Sequence, residues 1–268
     1  MGATSPRGEA AHRGFPQNAR VDAYHRLLFA PISPCDAASA HPDHSHDLEC
    51  IRRDCRRYLQ HVEGQLWVDS PDPFTTALTL YVSQTPSQLG AYTYESRVGA
   101  VVAILLTSQS DVDACRSLTL LMDSARHRFR LDPSSLAGVM DELLARCLPS
   151  LKAHFEDQSG FGLSILVAPW LATVFAHCWD LPLESRRRIM DAYVELGESA
   201  RFAVALALLA SVRADLEAAQ SIDEAMPLLE AMFRAAPPIH DLLRAAATYK
   251  LSTDQVDKCL AKYRQKQA

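Results

Sequence analysis

The sequence predicts an all-α fold. Apolar residues keep helical spacing from residue 47 onward, capping boxes recur, and proline or glycine stands at segment boundaries. No stretch alternates like a convincing strand, and no repeat period is visible. The pattern fits about ten to twelve helices in one domain over residues 21–268, preceded by a disordered tail over residues 1–20. Phe15 is the one aromatic residue of that tail, too little to bury.

Residues 47–62 read as a helix with Leu48, Ile51, Cys55, Leu59 and Val62 on one face and Arg52, Arg53 and Arg56 on the other. The turn Asp69-Ser70-Pro71-Asp72-Pro73 separates it from a helix near residues 74–83, because proline removes a helix donor and clashes with the turn before it. Residues 99–107 fit either a buried strand or a buried helix, and the lack of partner strands favours the helix. Ser110 and Asp113 form a capping box for a helix over residues 111–129. Asp132-Pro133 opens another helix toward Arg146, which Pro149 soon interrupts. Pro182 begins a helix that Gly197 ends. Residues 202–212 are apolar nearly all round, the mark of a helix surrounded by others. Further capping boxes stand at Ser221/Glu224 and Ser252/Gln255, and Pro237-Pro238 sets the last two helices apart.

Composition narrows the function classes. A net charge of −5 supplies no basic surplus for nucleic acid or for a polybasic membrane contact. The longest apolar runs, Gly99 to Leu106 and Phe202 to Val212, fall short of the ~20 residues that cross a bilayer, so no membrane insertion is expected. The seven cysteines, an odd number scattered along the chain, read as reduced thiols. With no signal-type leader read at the start, the expected location is cytoplasmic.

Candidate chemistry is sparse. The segment from His41 through Asp43, His44, His46 and Asp47 to Cys50 gathers ligand types, but it has no second half and lies in a proline-containing loop. It reads as a polar linker capping the helix at Asp47, and no metal or other cofactor is expected. No Gly-x-Ser-x-Gly elbow, phosphate loop or His-Glu-x-x-His is present. Ile51, Asp54 and Arg57 fall at i, i+3 and i+6, along one side of a helix. A basic solvated face made by Arg52, Arg53, Arg56 and Arg57 produces the same spacing.

Other segments carry a resemblance. Ala168 to Ala176, Leu181-Pro182-Leu183 and Arg188-Ile189-Met190-Asp191 resemble the C-terminal half of a TBC domain, the all-helical fold of Rab GTPase-activating proteins. Ile51-x-x-Asp54-x-x-Arg57 resembles that family's arginine-finger pattern. The resemblance implies that Arg57 is the finger and Asp54 its support, with a Rab-family GTPase as partner. An arginine supplied in trans stabilises charge on the transferred phosphoryl group, worth ~10³–10⁵ in rate. Active members pair it with a glutamine in a Tyr-x-Gln-Gly segment, which orients the attacking water. The matching segment here is Tyr94-Glu95-Ser96-Arg97, with serine for glutamine and arginine for glycine.

Within the family, other stretches resemble the small TBC subunits of tuberous sclerosis complexes. They are His41 to His46, Leu66 to Pro71, Leu78 to Leu89, Phe175 to Asp191, and Pro237-Pro238 with His240-Asp241. That resemblance implies a degenerate, non-catalytic subunit that binds a hamartin-like coiled coil within a hamartin–tuberin complex. The complex activates GTP hydrolysis by Rheb, restrains TOR signalling and implies recruitment to lysosomal membranes through partners. Leu228, Leu229, Met232 and Phe233, and the pair Leu242 and Leu243, are stripes that could seat a coiled coil, with core packing as the favoured reading.

Overall fold

Helix is the regular structure found among the described residues of the computed structural model, which are Tyr24 and residues 49–55, 72–84, 96–123, 129, 131–159 and 162–267. Besides the helical segment 49–55, twelve helices have defined bounds. They are α1 (Asp72–Gln84), α2 (Ser96–Leu105), α3 (Asp111–Asp123), α4 (Pro133–Cys147), α5 (Pro149–Ser159) and α6 (Leu163–Ala172). The chain continues with α7 (Leu183–Leu196), α8 (Ser199–Ser211), α9 (Arg213–Ala218), α10 (Ile222–Arg234), α11 (Ile239–Thr248) and α12 (Thr253–Gln267). The predicted tail over residues 1–20 lies outside the described residues, as do residues 124–128 of the helix expected to reach residue 129. The chain divides into two compact units, one over Phe15–Ala125 and the other over Met1–Gly14 with Arg126–Ala268.

In the first unit α1, α2 and α3 pack pairwise against one another. The ambiguous stretch at 99–107 is helical: Val98, Ala100, Val101, Val102, Ile104 and Leu105 are all buried. Burial on every side explains why neither period shows in the sequence. The next helix opens with half of the expected box: the Asp113 amide donates to Ser110 Oγ at 3.2 Å, while the Asp113 carboxylate accepts from the Ser110 hydroxyl at 2.8 Å in place of the Ser110 amide.

In the second unit α4 packs on α5, α6 and α12, while α8 is ringed by α7, α6, α10, α11 and α4. Asp132 caps α4, accepting from the Ser135 amide at 2.8 Å and the Ser135 hydroxyl at 2.7 Å. A bond from the Ser134 hydroxyl, together with those two, holds its carboxyl well below the usual carboxylate range. Pro149 does not merely interrupt: it stands at the first position of α5, where its missing N–H costs nothing. The Ser252/Gln255 box forms in full, whereas at Ser221 the Glu224 amide donates to the serine but the Glu224 carboxylate accepts from the Gln220 amide, one residue outside the cap, at 2.7 Å.

The end of α6 is the most constrained point of this unit. After Ala172 the chain turns through Val174 (φ 50°) and Phe175 (φ 61°), left-handed values that non-glycine residues rarely adopt. Both side chains are fully buried. Such residues cost ~1–3 kcal/mol each and persist only where surroundings over-determine them. Here the Phe175 amide donates to the Trp170 carbonyl at 2.8 Å, and the Val174 amide to that of Leu171 at 3.1 Å.

The Leu171 carbonyl accepts a second bond at 3.0 Å, from Nη1 of Arg201. Arg201, on α8, is wholly buried and paired with the equally buried Glu198, its Nε donating to Glu198 Oε1 at 2.9 Å. The guanidinium lies 5.7 Å from the rings of both Tyr193 and Phe202. Burial pushes the Tyr193 phenol far above its ordinary value, and its hydroxyl bonds Glu198. Gly197, with φ 80°, ends α7 and turns the chain so that Glu198 and Arg201 face inward.

Removing one member of this pair leaves the other charge buried alone. Arg201→Met is expected to lower unfolding stability by about 3–5 kcal/mol, and Arg201→Met with Glu198→Leu to cost clearly less, in urea denaturation. At Gly138 on α4, an added Cβ would stand 2.2 Å from a ring carbon of Tyr263 on α12. Gly138→Ala, normally a small gain in a helix, is therefore expected to destabilise by about 1–3 kcal/mol, with partial recovery in Gly138→Ala/Tyr263→Ala.

Candidate functional site

Ile51, Asp54 and Cys55 are 0, 4 and 3% exposed, whereas Arg52 and Arg53 project to solvent. The i, i+3, i+4 spacing thus puts Asp54 on the buried side of this helical segment beside Ile51. Arg53 donates to Cys50 Sγ at 3.6 Å, so part of the basic side folds back on its own helix. Arg57 lies outside the described residues, as do His41 to Asp47 of the histidine-rich loop and Tyr94 and Glu95 of the second motif.

Ser96 is the first residue of α2, and the half-buried Arg97 follows it. No acidic residue stands in this first turn. From Val98 onward the helix is locked into its unit, so the backbone at Ser96 is positioned by the rigid core behind it. Ser96 and Asp54 belong to the same unit. A serine hydroxyl lacks the reach and the paired donor and acceptor of a glutamine amide.

A cleft of about 610 Å³ opens between α4, α6 and α12, with Ala137, Gly138, Ile165, Pro169 and Tyr263 among its walls. Its acidic groups are already engaged. Asp141 accepts from Lys152 at 2.8 Å, and Glu142 is bridged by Lys262 and Lys266, which hold its carboxyl below its ordinary value. The cleft therefore offers apolar surface in place of acid–base chemistry. Among the described residues no three His, Cys, Asp or Glu side chains converge as metal ligands would, and no helix is long and apolar enough to cross a membrane.

The stripes considered for a coiled coil belong to the core: Leu229, Met232, Phe233, Leu242 and Leu243 are all buried, and Leu228 is half-buried. Phe233 meets Trp170 edge to face at 4.8 Å and 78°, which explains why an aromatic ends the apolar segment of α6. Two buried arginines escape the sequence pattern. Nothing in the spacing separates Arg186 from its neighbours Arg187 and Arg188, yet Arg186 is 4% exposed. Arg201, at the head of an apolar run, gives a fainter signal: one charge amid continuous hydrophobic residues.

Comparison with known proteins agrees with this geometry. The family model of the Rab-GTPase-TBC domain matches residues 35–217. The Drosophila melanogaster ecotropic viral integration site 5 ortholog is 28% identical over 164 residues, covering 59% of this chain and 20% of that protein. The Caenorhabditis elegans Rab GTPase-activating protein eat-17 is 28% identical over 121 residues, covering 43% of this chain and 13% of its own length. The chain thus spans a fifth or less of these curated relatives. The crystal structure of the Chlamydomonas flagellar RabGAP TBC domain superposes with a TM-score of 0.70 at 20% identity, over 92% of this chain and 85% of that one. With its all-helical architecture and a match over more than half its length, this chain belongs to the Rab-GTPase-TBC domain family.

Proposed function

We propose that this chain engages a GTP-bound Rab-family GTPase as an activator that supplies an arginine but no glutamine. The observation that carries this reading is Ser96 as first residue of α2, followed by Arg97, where active family members hold glutamine and glycine. Arg57 is the arginine to be supplied. It stabilises charge on the transferred phosphoryl oxygens, and orientation of the attacking water falls to the GTPase's own glutamine. Asp54, buried on the same helical side as Ile51, is its support on this reading.

A second reading follows from the same replacement. A TBC domain without its glutamine also suits a non-catalytic subunit that binds a hamartin-like coiled coil. It would stabilise a hamartin–tuberin complex that activates GTP hydrolysis by Rheb, restraining TOR signalling. On this reading Arg57 belongs to a solvated basic face, and the chain is cytoplasmic and reaches lysosomal membranes through its partners.

Hydrolysis of GTP by a panel of Rab proteins separates the readings. The arginine-only reading predicts stimulation below the ~10³–10⁵-fold of a complete arginine-finger system, lost in Arg57→Ala and raised roughly tenfold in Ser96→Gln. Inertness of the native chain and of Ser96→Gln toward every Rab, with co-purification of a coiled-coil protein, would support the non-catalytic reading instead.

A further inference from the structure

One face of α6 has no cover among the described residues. Ser164 is the one polar residue of this helix, the pattern of a helix surrounded by others. Yet Ile165 is 55% exposed, the most open large apolar side chain among the described residues, and Pro169, one turn on, is exposed too. Both line the cleft of about 610 Å³, with Ala137 and Gly138 of α4 and with Tyr263 and Lys266 of α12. An apolar cleft beside a protruding aliphatic side chain marks a contact surface.

The charges on its two sides are opposites. On the α12 side two cations share one anion, since Lys262 and Lys266 both bind Glu142. No acidic residue follows Asp257 in α12. Arg264, three positions before Gln267 of the cleft lining, is exposed and has no ionic partner among the described residues. On the α6 side two anions share one cation: Lys152 binds Asp141 at 2.8 Å and also binds Glu156. A Cβ added to Gly162 would stand 3.9 Å from Asp141 Oδ1, so that carboxylate lies at the start of α6. One side thus carries surplus positive charge and the other surplus negative charge, with apolar surface between them.

A partner of one sign gains against one side and loses against the other. A second copy related by a two-fold axis matches both, because an isologous contact sets each patch against itself in reverse. Size agrees with a modest contact. α6 has 10 residues and α4 and α12 have 15 each, which gives a face roughly 15–22 Å long. Such a face lies at the small end of the ~800 Å² per partner of a stable interface, which suits a weak dimer.

We propose that two copies of this chain associate through the α4–α6–α12 cleft. Ile165 of each copy enters the cleft of the other, and the basic α12 side of each faces the Asp141 and Glu156 side of the other. The contact lies wholly within the C-terminal unit and does not depend on which GTPase, if any, the chain acts on.

Sedimentation velocity of the full chain over roughly 1–300 μM tests this, since a weak dimer dissociates in that range. The native chain is expected to pass from monomer to dimer. Ile165→Glu places a carboxylate in the first turn of α6, where the helix dipole favours it. This variant should stay monomeric and keep the Tm of the dilute native chain. Arg264→Glu and Glu156→Arg should each weaken association roughly tenfold, and their equimolar mixture should restore it, because the mixed dimer again pairs opposite charges. A native chain that stays monomeric throughout overturns the proposal and leaves the cleft to another protein. A dimer that survives Ile165→Glu overturns it as well, as do charge reversals that are silent singly or unrescued when mixed.

Discussion

The wholly buried pair of Arg201 and Glu198 is the constraint on which the C-terminal unit depends. A charged pair without solvent is weak evidence for stability by itself, since desolvation offsets much of the attraction. Its importance here is geometric. One guanidinium binds Glu198 at the α7–α8 corner, reaches the Leu171 carbonyl at the end of α6, and lies near the Tyr193 and Phe202 rings. The bond to Leu171 ties the end of α6 to the start of α8, and the contacts with Tyr193 and Glu198 tie in the end of α7. Together they over-determine the turn at Val174 and Phe175, whose left-handed backbone would otherwise relax.

From that corner the rest of the unit follows. Phe175 stays in the core, Trp170 is aimed at Phe233 on α10, and Arg186 reaches the Ala176 carbonyl on the far side of the same turn. Arginines thus read carbonyls on both flanks of one strained turn, but in different ways. Arg201 is neutralised inside the protein by Glu198, whereas Arg186 has no acidic partner among the described residues. The first pattern is an internally neutralised lock, and the second is a buried charge held by a carbonyl and an aromatic ring.

Helix identity was legible because it rests on local rules. Ser110/Asp113, Ser252/Gln255, Asp132-Pro133 and Gly197 all act as their residue types dictate, since capping depends on neighbours three residues away. What local rules could not give is long-range. α2 hid its type because burial on all sides erases the polar face that periodicity needs. Pro149 looked like a stop, because a proline that ends one helix and a proline that begins the next are the same letter. Arg186 and Arg201 differ from exposed arginines only through partners 10 and 30 residues away in sequence. The candidate site was legible to a similar degree. The buried placement of Asp54 follows from spacing, while the meaning of Ser96 comes from comparison with a motif.

On the proposed arginine-only reading, this TBC domain brings no water-orienting amide to a Rab GTPase, and the GTPase's own glutamine serves. Single-turnover phosphate release by a responsive Rab, compared with the same Rab carrying Leu in place of its catalytic glutamine, tests this directly. The account predicts stimulation of the native Rab and none of the substituted one. Equal stimulation of both would contradict it, because some group of this chain would then be orienting the water.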